Sequence, residues 1–221
     1  MALDPGDHAQ VSAAIADAER TTSGEIFCVF TEAADDLKII PLAAASLAAL
    51  CLPPLLLILG IVDPAWFAGW RDTSSLSPAF VASVYAALSA GFFLAALALT
   101  WPMRVRFALA PKSLRHGHAE RVATESFLAH GIHNTRDRTG VLIFLSRRDH
   151  FAEIIADEGI YERVEPEVWA DALEGMLERA KANDFAGAFT FAVGECSKVL
   201  SRHFPPRGDN PNELPDHLIE L

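Results

Sequence analysis

VLIFLSRRDHFAEIIAD, residues 141–157, is the stretch that decides the fold of this chain. Val141 to Ser146 is apolar on both faces, the composition of a strand inside a sheet whose two sides are covered by helices. Phe151 to Asp157 alternates, as a strand with one drier face does. Between them Arg147, Arg148, Asp149 and His150 form a four-residue polar connection, so the spacing predicts an antiparallel hairpin. Working outward, Glu25 to Thr31, EIFCVFT, reads as another strand apolar on both faces. Before it, Asp4 and Pro5 make an N-cap and first-turn signal, Val11, Ile15 and Ala18 form one apolar stripe, and Thr21 to Gly24 breaks the helix. After position 112, Ala119, Val122, Ala123, Ser126 and Phe127 repeat at helical spacing until Gly131. Two later helices are expected, Pro166 to Ala182 with Val168, Trp169, Ala172, Leu173, Met176 and Leu177 inward, and Asp184 to His203 with Phe189, Ala192, Val193, Cys196, Val199 and Leu200 inward. The sum is a small α/β sandwich completed by the amino-terminal strand.

That strand is separated from its partners by two uncharged runs, Pro41 to Val62 and Pro78 to Trp101, of 22 and 24 residues. At about 1.5 Å rise per residue each can cross a hydrocarbon core about 30 Å thick. Neither has the polar stripe of a soluble helix. The expected organisation is therefore residues 1–38 as the first helix and strand of a split domain, 39–103 as a transmembrane hairpin with spans about 41–62 and 78–101, 104–204 as the rest of the domain, and 205–221 as a Pro-rich extended tail. Two spans return the chain to its starting side, which lets the severed pieces meet. Lys38 and the cluster Arg104, Arg106, Lys112, Arg115 and Arg121 flank the hairpin, whereas the loop from Asp63 to Ser77 offers Arg71 beside Asp63 and Asp72. Basic flanks stay cytoplasmic, so an inner-membrane, two-pass arrangement with both termini in the cytoplasm is expected. Trp66, Phe67, Trp70 and Trp101 sit where interfacial aromatics belong. Ser83, Ala87, Gly91 and Ala95 suggest a small-residue ridge for packing against Ala44 and Ala48, and Pro53 and Pro54 should kink the first span. With no ionisable group inside either run, a proton relay or transport path is disfavoured, and the hairpin reads as an anchor.

The formal net charge of -11 argues against nucleic acid as a partner. Cys28, Cys51 and Cys196 are too few and too scattered for a disulfide framework or a zinc site, which fits a reducing compartment. Met1 is followed by Asp4, Pro5, Gly6 and Asp7 rather than by a basic then apolar segment, so no cleavable secretory signal is expected and the first span does the targeting.

The candidate catalytic groups are Glu25, Asp137, Arg138, Asp149 and Asp157. Thr135 to Gly140, TRDRTG, places two arginines, an aspartate and hydroxyls before a buried strand, where arginine can grip phosphate. The alternative is structural: an Arg138 ion pair with Asp137 or Glu153, and a glycine needed for a tight backbone. Glu25 is expected beside that loop, orienting an arginine. His130 and His133 flank Gly131 and read as surface imidazoles rather than as a metal pair. The candidate metal ligands are Asp149, Asp209 and Glu213, in an oxygen-rich context that includes Asn210, Asn212, Asp216 and His217. No Cys, Ser or His lies in a recognisable nucleophile motif.

The segments TTSGEIFCVF (21–30), GIHNTRDRTGVLIFLSRRDHFAEIIADEGI (131–160) and HFPPRGDNPNELPDHLIEL (203–221) resemble the TPM domain family, specifically its bacterial membrane-anchored branch. The resemblance implies an α/β/α sandwich with a mixed sheet and a hairpin inserted after the first strand. It implies as functions either an accessory role for membrane protein complexes or acid phosphatase activity. Phosphatase-like members place paired acidic residues linked to calcium in the turn between the hairpin strands; here that turn is RRDH, with Asp149 its only carboxylate. No cofactor is expected, and the ion the residues would admit is a divalent cation such as calcium. The expected function is a cytoplasmic, non-catalytic interaction module held in the lipid bilayer and engaging another membrane protein; the alternative is a membrane-bound phosphatase or related hydrolase.

Overall fold

The computed structural model describes residues 3–35, 37–67, 77–206 and 212–221. It separates into two compact units, one made of residues 1–35 with 112–221 and one of residues 36–111.

The first unit is built on a mixed four-stranded sheet in the order β3-β2-β1-β4. Strand β1 (Glu25–Thr31) pairs parallel with β2 (Gly140–Ser146) in the register Glu25 to Gly140 through Thr31 to Ser146. Strand β3 (Phe151–Ala156) runs antiparallel to β2, with Ser146 opposite Phe151, so RRDH is the hairpin turn expected from the spacing. His150 closes that turn at φ 51°, a left-handed position such turns require. Every residue of β1 and β2 is buried, the physical counterpart of their two apolar faces. The fourth strand, β4 (Leu218–Glu220), comes from the Pro-rich tail and lies parallel to β1 on its other side.

Helices cover both faces, giving an α/β/α sandwich. On one face α1 (Pro5–Glu19), α7 (Ala170–Lys181) and α8 (Phe185–His203) enclose Ile26, Cys28, Phe30, Val141, Ile143 and Leu145. On the other, Ala119, Ala123 and Phe127 of α5 (Lys112–Ala129) pack with Phe27, Val29, Leu142 and Phe144. Helix α1 starts at a reciprocal cap, Asp4 accepting from the Asp7 amide at 2.8 Å and Asp7 from the Asp4 amide at 3.1 Å, with Pro5 in the first turn. The helix expected from Pro166 begins later: Pro166–Trp169 is a 3-10 turn, which leaves Val168 exposed rather than inward while Trp169 is buried. A one-turn helix, α6 (Glu158–Tyr161), follows β3 and is capped by Asp157.

The second unit contains α2 (Ile39–Ile58) and α3 (Pro78–Thr100), joined in sequence to the short α4 (Met103–Leu109). Both long helices are long and apolar enough to cross a membrane, with mean hydropathies of 2.1 and 2.0, and only 17% and 6% of their apolar windows are buried. Leu42, Leu47, Leu50, Leu55, Leu94 and Leu99 point outward, the reverse of a soluble core helix. The helices pack on each other, α2 burying Ala45 and Pro53 and α3 burying Val84. The small-residue ridge faces the other way: Ser83, Ala87, Gly91 and Ala95 are exposed, and a Cβ built on Gly91 meets nothing within 4 Å. Helix α2 continues through Pro53 and Pro54 to Ile58. Trp66, Phe67 and Trp101 are exposed, while Trp70 and Arg71 lie outside the described residues.

Candidate functional site

The parallel strands place the candidate groups at opposite edges of the sheet. Seven residues at about 3.3 Å per residue separate those edges by about 20 Å. Glu25 opens β1, Asp137 and Arg138 precede β2, and Asp157 follows the antiparallel β3, so these four lie at the edge where β1 and β2 begin. Asp149 lies at the edge where they end.

At the first edge the charges are committed to structure. Arg138, left-handed at φ 56°, reaches Asp157 at 3.3 Å and Glu158 at 3.2 Å, two partners the sequence reading did not name for it. Asp157 is 4% exposed and also caps α6 through the Glu158 amide at 2.7 Å. Two glycines hold the loop tight. A Cβ on Gly140 would fall 2.3 Å from the Ile132 carbonyl, and one on Gly159 2.7 Å from the carbonyls of Asp137 and Arg138. Glu25 is buried and, rather than orienting an arginine, accepts from the Leu214 amide at 3.2 Å. Glu213 accepts from the Arg136 amide at 2.8 Å. Asp209 and Asn210 lie outside the described residues.

A carboxylate that the sequence reading did not single out, Glu19, completes this edge beside Glu25 and Asp216. Glu19 of α1 accepts from the Ile26 amide at 2.9 Å and shares a hydrogen bond with Asp216 of the tail, which is bonded to Asn212. Burial pushes Glu19 up to about 8, against the Ile26 hydrogen bond and with the help of Glu25 and Asp216. Glu25 is raised for the same first reason, burial, with Glu213 and Asp216 adding to it. A cleft of about 380 Å³ beside them is lined by Glu19, Arg20, Glu25, Asn212 and Asp216.

At the opposite edge, where ligands bind in open α/β sheets, lies a larger groove of about 660 Å³. Its charged lining follows directly from the ends of β1 and β2. The ladder continues beyond the strands, Arg147 and Arg148 donating their amides to the carbonyls of Thr31 and Glu32 at 3.0 Å each. The Glu32 carboxylate then spans both guanidiniums, 3.3 Å from Arg147 and 2.8 Å from Arg148. Arg147 lies over the Phe185 ring, 5.2 Å from its centroid, and donates to Asn183 at 3.4 Å. Lys181 closes the basic side, with Leu145, Leu177 and Ala180 supplying apolar lining.

Asp149 sits at this edge but is closed. It accepts from the Ser146 hydroxyl at 2.5 Å and the Ala34 amide at 2.9 Å and is 2% exposed. Ser146 is fully buried as well, so this hydroxyl and carboxylate tie the turn to the chain after β1 and present no nucleophile to solvent. The calcium turn of the resemblance does not fit here: its one carboxylate is satisfied internally, and its neighbours are arginines. Among the described residues no group of three or more His, Cys, Asp or Glu is placed to hold a metal ion. His130 and His133 are half-buried rather than surface imidazoles, His130 stacking on Phe27 at 4.8 Å and bonding Ser126. Cys28 and Cys196 are buried thiols that burial pushes up, so they are unreactive.

A family model described as the TPM domain matches residues 95–199. The NMR structure of BA42 protein from the psychrophilic bacterium Bizionia argentinensis superposes with a TM-score of 0.57 at 17% identity, covering all of this chain and 97% of that one, a likeness of fold. No curated protein matches the chain.

Proposed function

We propose that this chain, matched by a TPM domain model over residues 95–199 and holding two helices long and apolar enough to cross a membrane, is a two-pass membrane protein whose TPM-like domain acts as a non-catalytic accessory module for another membrane protein. The observation that carries this reading is that the candidate catalytic groups are tied up within the fold, with Asp149 set apart from the rest. Glu25, Asp137, Arg138 and Asp157 stand at one edge of the sheet and Asp149 at the other, and Glu25, Arg138, Asp149 and Asp157 each have a partner in the fold. Phosphoryl hydrolysis needs a nucleophile, a base and an anion grip in contact.

The same organisation supports the topology. Strands 25–31 and 140–146, on either side of the two helices in sequence, pair in one sheet, which supports a hairpin that leaves and returns on one side of a bilayer. The basic residues flanking the helices favour the cytoplasmic side of an inner membrane for both termini, with lipid and a protein partner and no nucleic acid in attendance.

Crosslinking in native membranes is expected to recover one reproducible membrane protein. A cysteine placed in the loop from Asp63 to Ser77 should label from outside, and cysteines near the two ends should not. Phosphoester turnover by the purified full chain that disappears in Asp149→Asn, with the chain still folded, would replace this reading by a hydrolase.

A further inference from the structure

We infer that the groove at the carboxyl edge of β1 and β2 recognises a carboxylate on an acidic, apolar-flanked segment of the partner protein. The inference rests on the accessory reading above and names the chemistry of its contact.

In a chain of formal net charge -11, this groove gathers Arg147, Arg148 and Lys181 against Glu32, the only carboxylate among its lining residues. Glu32 shows which anion fits: a planar carboxylate already bridges the two guanidiniums at 3.3 and 2.8 Å, and planar forks pair with carboxylates through parallel hydrogen bonds. One carboxylate against three cations leaves the site short of negative charge. Lys181 is exposed and makes no ion pair among the described residues, so an incoming carboxylate has a cation that the fold does not use. Arg147 is held in place by Glu32, Asn183 and the Phe185 ring, so part of the ordering cost of binding is met before a ligand arrives. Leu145, Leu177, Ala180 and Phe185 give the groove an apolar lining beside the charges, and about 660 Å³ accommodates a few side chains. An acidic residue with apolar neighbours matches both halves.

The probe is a short fluorescent peptide of alternating leucine and glutamate, titrated by anisotropy against the full chain in detergent micelles. Saturable binding is expected. It should weaken at least tenfold when glutamine replaces glutamate, at least fivefold in Lys181→Glu, and further as salt is raised. Equal binding of the glutamine peptide, or no effect of Lys181→Glu, overturns the inference. So does binding confined to a phosphoserine version or to phosphatidylglycerol vesicles, either of which assigns the groove to phosphate groups. A partner that crosslinks equally to wild type and Lys181→Glu, with no peptide binding, removes the groove assignment and leaves the accessory reading standing. Peptide binding with no partner recovered removes the accessory reading, and with it the partner protein as the source of the carboxylate, and leaves the groove's preference for a carboxylate standing.

Discussion

The two edges of the one sheet are built to opposite plans. Where β1 and β2 begin, Glu19, Glu25, Glu213 and Asp216 spend their hydrogen-bonding capacity on backbone amides and on each other, stitching the tail to α1 and β1. Where the strands end, Arg147, Arg148 and Lys181 surround an open groove with a single carboxylate. The acidic edge is a seal and the basic edge an opening. The lesson is that a cluster of titratable groups marks function only when its partners are not already supplied by the fold.

Substitutions at the seal should cost stability, and those at the opening should not. The largest effect is expected from Gly140→Val. Its Cβ would lie 2.3 Å from the Ile132 carbonyl, so backbone must move, at about 3 kcal/mol read by chemical unfolding in micelles. Leu218→Ala empties a buried position on the tail strand and should cost about 2 kcal/mol. A result near zero would detach the tail from the seal.

The third effect is a pH slope, ranked by its size per pH unit. Folded Glu19 is raised to about 8 from an ordinary value of 4.5, so between those values the folded chain holds a proton that the unfolded chain has released. Stability from this group is full below about pH 4.5, declines as pH climbs, and levels off above about pH 8. One proton corresponds to a slope of about 1.4 kcal/mol per pH unit at its steepest. Glu19→Gln should flatten its share of that slope in unfolding curves from pH 5 to 9 and leave the share of Glu25, which is raised in the same direction. The smallest effect belongs to the opening: Lys181→Glu should shift stability by less than about 0.5 kcal/mol, because the side chain is exposed and holds nothing. A loss of several kcal/mol there would erase the contrast between the edges.

How much was legible varies with the range of the interaction. Strands β1 and β2 could be read because an interior parallel strand needs apolar side chains on both faces, and EIFCVFT and VLIFLS have them. The cap of α1, the RRDH turn and the two apolar helices are equally local. Strand β4 escaped because three residues after a Pro-rich run carry no period; Leu218 to Glu220 is a strand only because β1 offers it a free edge. Arg138 was assigned neighbours in sequence, yet its left-handed backbone turns it toward the cap of α6. The pairing of Glu19 with Asp216 spans nearly the whole chain, and nothing in either local pattern signals the other.

By itself the sequence determined the identity of the interior strands, the helical faces, and the presence of two segments that water would not solvate along their length, since each depends on residues within a few positions of one another. Only the tertiary structure decided which charges are spent and which are left to act. That outcome depends on which backbone amides and side chains arrive beside them once distant segments meet, and a linear pattern does not contain those distances.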